Sequence, residues 1–424
     1  MAVLKFQQAR LAVIEQVQSA LASPAEKAAS SHYNPLKTET IPILQSPGRV
    51  LAEPIRADRD FPPFPRSTRD GYAVRSDDVA APPVTLKCKG QVKAGSEFAG
   101  TVGAGECVEI MTGAPAPDGT DAVVMVEYTS QKGERIEVKR AVASGENIVA
   151  RGSEARRGDL MLEPGRRIAY GETAVMASVG KSSVSVYRQP RVAIIPTGDE
   201  VVEVDATPGP FEIRNSNGYS LHAQVVAASG VPVALGIAPD REDRLGEMMQ
   251  DGLRSDLLLL SGGVSMGKFD LVEKVLTELG AEFFFDGVLI QPGRPLVFGR
   301  ARGTFFFGLP GNPLSTMVTF ELFVRPAMAL LGGEREAPLR FLRARLAKDF
   351  RRRPGVAAFL PATLAGEYYD PVVSVVEWKG SGDLASLNLG NCYLAVPEDA
   401  AELKAGDWVS VLPRSIFVVQ SRIL

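Results

Sequence analysis

The sequence predicts a multidomain chain of α/β plus β class: a doubly wound, mostly parallel α/β domain, with an inserted β module, a linker domain and a C-terminal β domain. Three observations carry this expectation. Residues 190–333 alternate apolar runs (RVAIIP, VPVALGI, DLLLLS, TFFFGL) with helical patterns, as a parallel sheet covered on both faces requires. Residues 71–145 and the stretch after Gly333 instead carry short β-branched runs separated by Gly and Pro. Finally, 424 residues with 45% hydrophobic content exceed one core, because single cores stop growing near ~250 to 300 residues.

Taken in order, residues 1–56 read as an amphipathic helix ending near Ala22, followed by the first part of a linker domain. The helix is expected to pack on another domain. A proline cluster, Phe61–Pro65 (FPPFP), cannot continue a helix and opens the inserted β module, 57–145, with the runs VTLKCKG, CVEIMTG, DAVVMVEYT and RIEVKR. Residues 146–189, with Gly152, Gly158, Gly165, Gly171 and Gly180 between apolar pieces, read as the return through the linker. In the α/β domain, 190–333, helices are expected at 216–228, 241–253, 270–279 and 313–331. The C-terminal β domain, 334–424, carries VVSVVEW, NCYLAVP, DWVSVLP and FVVQ.

Composition excludes several classes. A net charge of -3, with no basic block longer than Arg351–Arg353, argues against nucleic-acid binding, which relies on neutralising many phosphates. The cysteines Cys88, Cys107 and Cys392 are odd in number and widely spaced, which suggests neither a disulfide framework nor a thiolate zinc site. The N-terminus is interrupted by Lys5, Arg10 and Glu15 and lacks the apolar core of a signal peptide. No apolar run of ~18 residues is apparent, so a cytoplasmic chain with no membrane span is expected.

Four glycine-bearing loops follow apolar runs in the α/β segment: TGDE (197–200), SGGVSMG (261–267), PGRP (292–295) and LPGNP (309–313). Ligands of such sheets bind at the carboxyl edge, and free N–H groups where a loop opens a helix receive phosphate or another oxyanion. Gly262, Gly263 and Gly267 permit close backbone approach, while Asn312 and Pro313 suit a helix cap and first turn. Gly262–Lys268 has P-loop spacing, but Phe269 stands where a magnesium-binding hydroxyl belongs. Gly263–Gly267 matches a nucleophile elbow around Ser265, yet His32 and His222 both precede that serine, against the required order. With so few histidines, any metal site is expected to be oxygen-rich, suiting Mg²⁺. Glu200, Asp240 and Asp270 are the placed carboxylates, although the last two also suit plain helix-dipole roles.

Together these motifs resemble the molybdopterin molybdenumtransferase family of molybdenum cofactor biosynthesis, whose animal relative is the C-terminal domain of gephyrin. The similarity runs through RDGYAVR (69–75), MTGAPAPDGTDAVVMVE (111–127), PTGDE (196–200), IRNSN (213–217), SGGVSMG, QPGRPLVFG (291–299), LPGNPLS (309–315) and, more weakly, GSG (380–382) and LGNC (389–392). It implies a homodimer with an active site shared between subunits. It also implies that adenylylated molybdopterin and molybdate are substrates, with Mg²⁺-dependent release of AMP. By motif, Asp70, Thr112, Glu200, Asp240 and Asp270 take the catalytic positions, the last three also as Mg²⁺ ligands. Substrate contacts fall on Thr197, Gly198, Asp199, Asn217, Ser261, Gly262, Gly263, Ser265 and Gly267. Further contacts fall on Pro292, Gly293, Arg294, Pro295, Pro310, Gly311, Asn312, Ser315 and Ser381.

The chain departs from the family pattern at Arg69, at Gln291 where lysine is usual, at Asn215 where an acid is usual, and at Val356 and Pro361 where arginines are common. Arg351, Arg352 and Arg353 are the residues expected to substitute in part. The alternative reading is a catalytically weakened pterin-binding or scaffold paralogue on the same fold, since fold alone does not decide function.

Overall fold

The computed structural model describes residues 3–22, 36–263, 271–335, 338–367 and 369–414. Its centre is a six-stranded sheet whose spatial order is Val231–Ala234, Arg191–Pro196, Leu257–Ser261, Thr304–Leu309, Val297–Ala301, Glu282–Phe285. The first four strands are parallel, and the last two are added antiparallel. Strand alternation assigns side chains to two faces. Val192, Ile194, Leu257, Leu259, Phe305 and Phe307 pack on one side with helices Ser216–Ala227 and Pro313–Leu331. Ala193, Ile195, Leu258, Leu260 and Phe306 pack on the other, under helices Glu242–Gly252 and Leu271–Glu278. The sheet is therefore doubly wound, and near-continuous apolar strands are what double coverage selects.

Helix 313–331 corrects one expectation. It is long and apolar enough to cross a membrane by composition, although 89% of it is buried inside the molecule. Its charges are internally paired: Arg325 Nε donates to Glu321 Oε2 at 2.5 Å, and Gln224 Nε2 donates to Glu321 Oε1 at 3.0 Å. A five-residue π segment, Phe320–Val324, interrupts it.

The second correction concerns strand Val288–Gln291, which precedes PGRP. It does not belong to the α/β sheet. It pairs in parallel with Leu4–Lys5 and with Ala357–Ala365, joining the seven-stranded C-terminal sheet. Within that sheet 357–365 also pairs with Cys392–Val396, closing a barrel-like circuit through Val372–Val375, Leu342–Leu346 and Trp408–Pro413. The N-terminal helix Phe6–Ala22 packs on the α/β and C-terminal domains: Phe6 meets Phe323 and Phe359 at ring distances of 5.9 and 4.8 Å. The FVVQ run lies outside the described residues.

Three short ladders form the linker, pairing Thr38–Pro42 with Ser183–Tyr187, Ile55–Arg56 with Leu160–Leu162, and Arg66–Ser67 with Ile148–Val149. A helix not read from the sequence, Tyr170–Ser178, lies within it, and the Glu172 carboxylate accepts from the Ala169 N–H at its start. Between the ladders stands a six-stranded β module in the order Ala122–Met125, Gly71–Val74, Glu106–Ile110, Val84–Val92, Arg135–Val138, Thr129–Lys132.

Candidate active site

Three of the four glycine loops meet at the carboxyl ends of strands 191–196, 257–261 and 304–309. The backbone makes the junction: Thr197 N–H donates to Ser261 O at 2.8 Å and Gly262 N–H to Leu309 O at 3.2 Å. Gly262 and Gly263 have φ of +98° and +65°, and a Cβ on Gly262 would stand 2.6 Å from the Thr197 carbonyl oxygen. Only glycine allows both the conformation and the approach. A Cβ on Gly263 would stand 2.9 Å from Thr197 Oγ1, which is buried and has no hydrogen-bond partner among the described residues.

Asn217, in the first turn of helix 216–227, pins the junction. Its Nδ2 donates to Ser261 Oγ and to Gly311 O, both at 2.8 Å, while its buried Oδ1 has no partner among the described residues. Asn215 caps the same helix, accepting from Gly218 N–H at 2.8 Å. The amide at this position thus satisfies an orphan helix donor, as an acid would. The edge therefore offers neutral hydroxyls and amides beside backbone on which no side chain stands.

Acids gather beside it. Asp199 Oδ1 accepts from the Asp240 N–H at 2.9 Å, holding the loop after strand 231–234 against TGDE. Glu200 follows with an exposed carboxylate folded over Gly198, whose backbone N–H donates to Ala238 O at 3.2 Å. Desolvation pushes the Asp240 pKa up, and the nearby charges of Asp199 and Glu200 push the same way. Among the described residues, no three acids, cysteines or histidines converge closely enough to hold a metal by themselves. Asp270, Ser265 and Gly267 lie outside the described residues.

The PGRP loop stands apart from the sheet edge because it leaves the C-terminal sheet. Pro292 and Gly293 are buried against helix 313–331, where a Cβ on Gly293 would meet Thr319 Cγ2 at 2.5 Å. Arg294 is exposed, beside half-buried Pro295, and its carbonyl accepts from Val288 and Leu296 N–H. Across the start of helix 313–331, Pro310 O accepts from Thr316 Oγ1 at 2.5 Å, and buried Ser315 gives its carbonyl to Thr319 Oγ1. The expected Asn312 side-chain cap is absent: Asn312 occupies the N-cap position without a side-chain bond. Instead the Ser381 carbonyl of the C-terminal domain accepts from Leu314 N–H at 3.0 Å. Asp383 shapes that turn, accepting from the Ser386 hydroxyl and from Lys379 and Ser386 N–H, and these bonds, the hydroxyl one first, hold its pKa down at about 2. Its sequence signal was an acid standing just before the short helix Leu384–Leu387.

Two of the three basic residues expected to substitute in the last domain, Arg351 and Arg352, are engaged elsewhere. Arg351 is bonded to Glu402, and Arg352 donates to the carbonyls of Arg353 and Val356. Pro361 is buried inside strand 357–365, opposite Tyr393, so a side chain there faces the interior. In the β module, Asp70 Oδ1 accepts from both the N–H and the hydroxyl of Thr112, at 2.7 and 2.9 Å. These two bonds, the backbone one first, lower the Asp70 pKa.

The fold and this edge define a class: a multidomain protein with a ligand-binding, doubly wound α/β domain whose carboxyl edge combines glycine-lined backbone with clustered acids. Comparison with known proteins narrows it. Residues 11–180 match the MoeA N-terminal region (domain I and II), 193–330 a probable molybdopterin binding domain, and 343–413 the MoeA C-terminal region (domain IV). A molybdopterin molybdenumtransferase of Bacillus subtilis is 35% identical over 89% of this chain and 90% of its own length. Another so named, from Staphylococcus aureus, is 32% identical over 88% and 90%. A crystal structure of a molybdopterin biosynthesis moeA protein from Pyrococcus horikoshii superposes with a TM-score of 0.77 at 28% identity, covering 97% of this chain and 100% of that one. The chain belongs to the molybdopterin molybdenumtransferase (MoeA) family of enzymes.

Proposed function

We propose that this enzyme inserts molybdate into adenylylated molybdopterin, breaking the pyrophosphate link and releasing AMP as molybdenum cofactor forms. The observation that carries the reading is the juxtaposition at one sheet edge of glycine-lined backbone with the Asp199–Glu200–Asp240 cluster. The first half suits phosphates and the second suits a hard cation. Burial first, and then the charges of Asp199 and Glu200, push Asp240 toward protonation; a divalent cation would relieve the repulsive part, so the donor set fits Mg²⁺. Glu200 and Asp240, with Asp270, would hold it together with substrate phosphates; one or two carboxylates suffice when phosphates complete the shell. When bound, Mg²⁺ supplies charge neutralisation on the pyrophosphate.

The chain's own residues do the rest. Thr197, Ser261, Asn217 and the Gly262–Gly263 backbone bind and orient the phosphates, with the Gly198, Asp199 and Pro310–Asn312 backbone framing the cleft. The Thr197 hydroxyl, without a partner among the described residues, would donate to a phosphate oxygen. Asp70, kept ionised by Thr112, is the acid presented by the β module, and in this reading it serves the cleft of a partner subunit in a homodimer. Arg294 is the exposed cation for the oxyanion, its planar fork suiting molybdate. Ser265, Gly267, Pro292, Gly293, Pro295, Ser315 and Ser381 are assigned to substrate binding by the family resemblance alone. The division into segments 1–56, 57–145, 146–189, 190–333 and 334–424, and a cytoplasmic location, belong to the same reading.

The test is AMP release from purified protein given adenylylated molybdopterin and Mg²⁺, with and without molybdate. Release that depends on molybdate supports insertion. Tight binding with no release in either arm refutes it and supports the scaffold alternative.

A further inference from the structure

Strands Val84–Val92 and Glu106–Ile110 of the β module run parallel, with Cys88 in register opposite Cys107. Register partners on adjacent strands share a face. The neighbouring pair, Lys87 and Glu106, lies on the other face, where Glu106 bonds Lys89. The cysteine pair points into the core formed by Tyr72, Leu86 and Ile136. Cys107 is fully buried, while Cys88 is half-buried, within reach of solvent, and donates to Gly90 O at 3.3 Å. Adjacent strands lie ~4.8 Å apart, inside the ~4.4 to 6.8 Å Cα separation a disulfide spans.

We propose that Cys88 and Cys107 are a redox-active dithiol that closes to an intramolecular disulfide by exchange with a low-molecular-weight disulfide such as oxidised glutathione. The Cys88 thiolate attacks the small disulfide, forming a mixed disulfide and expelling one thiolate. The Cys107 thiol gives its proton to water and attacks Cys88 Sγ, forming the Cys88–Cys107 bond and expelling the second thiolate. Two protein thiols are oxidised and one small disulfide is reduced to two thiols. Burial pushes the Cys107 thiol up to about 12, so the second step is the slow one and the mixed disulfide precedes the cross-link. The bond would sit where the ladder is weakest, at the last regular pair before the register shifts between Cys88 and Gln91. The 106–110 strand leads directly to Thr112, so oxidation stiffens the module beside the Asp70–Thr112 pair.

The full-length reduced protein, incubated with oxidised glutathione, is analysed by thiol titration in denaturant, peptide mass mapping and amide hydrogen exchange. Two of the three thiols should disappear, with a Cys88–Cys107 peptide cross-link, free Cys392, full reversal by dithiothreitol, and at least tenfold slower exchange across residues 84–110. Cys88→Ser should abolish the reaction, and Cys107→Ser should stop it at the glutathione adduct. A lasting adduct on Cys88 without the cross-link, a cross-link between subunits, or no thiol loss would each overturn the proposal.

Discussion

Removing the Asn217 amide tests whether the sheet edge is held as the structure indicates. Asn217→Ala deletes two hydrogen bonds of 2.8 Å, one to Ser261 Oγ and one to Gly311 O, and so uncouples the loops after strands 257–261 and 304–309. Each such bond contributes a net ~0.5 to 1.5 kcal/mol, so the pair contributes about 1 to 3 kcal/mol to keeping both loops in place. If the substrate requires that arrangement in the transition state, kcat/KM should fall by roughly tenfold to a hundredfold. The melting temperature should fall by only a few degrees, because the bonds lie at the sheet edge and the core stays intact. Gln224→Ala provides the control: its amide binds Met317 O and Glu321 on the same helix, further from the edge. That variant should lose stability with little change in kcat/KM. The assay is steady-state AMP release in parallel with thermal melting. An Asn217→Ala protein with kcat/KM within twofold of the native value would refute the assignment of this junction as the binding edge.

Three further outcomes follow from single contacts. Gly262→Ala forces φ of +98° on a residue whose Cβ would stand 2.6 Å from Thr197 O. Left-handed backbone alone costs about 1 to 2 kcal/mol, and the contact adds a shift of the loop. Calorimetric affinity for adenylylated molybdopterin should therefore fall more than tenfold, and unchanged affinity would count against a close-approach loop. Thr112→Val removes the hydroxyl bond to Asp70 and keeps the backbone one, so the Asp70 pKa should rise part-way toward its ordinary value, read by carboxyl NMR. Because that pKa is depressed in the fold, its stabilising contribution is present above the ordinary aspartate value and is lost as pH falls through the folded value; the variant should show a smaller loss. An unmoved pKa would contradict this. Asp256→Ala leaves Arg188 without its two-pronged carboxylate partner, which is 5% exposed and also binds Arg191 N–H, so unfolding free energy should fall by about 3 to 5 kcal/mol in denaturant titration. A change under ~1 kcal/mol would show that the linker and α/β domain do not depend on that pair.

Much of the fold is legible in the sequence because burial on both faces leaves a plain mark: RVAIIP, DLLLLS and TFFFGL admit no solvent face, and each becomes a central strand. The PGRP loop was misplaced because VLIQ carries the same mark while its partners, Leu4–Lys5 and Ala357–Ala365, are remote in the chain. Nothing local distinguishes two sheets built from equally apolar strands. The site was partly legible for a similar reason. Glycine spacing announced the Gly262 junction, whereas the cap of helix 313–331 by the Ser381 carbonyl is a backbone contact without a side-chain signature. The in-register meeting of Cys88 and Cys107 likewise depends on strand pairing, which spacing alone does not reveal.

The central claim, that acids at the sheet edge hold the cation against the substrate pyrophosphate, is tested most directly by the Mg²⁺ dependence of AMP release in Glu200→Gln compared with the native enzyme. The account predicts that half-saturating Mg²⁺ rises at least tenfold while substrate affinity measured without Mg²⁺ stays within about twofold. An unchanged Mg²⁺ dependence would contradict it.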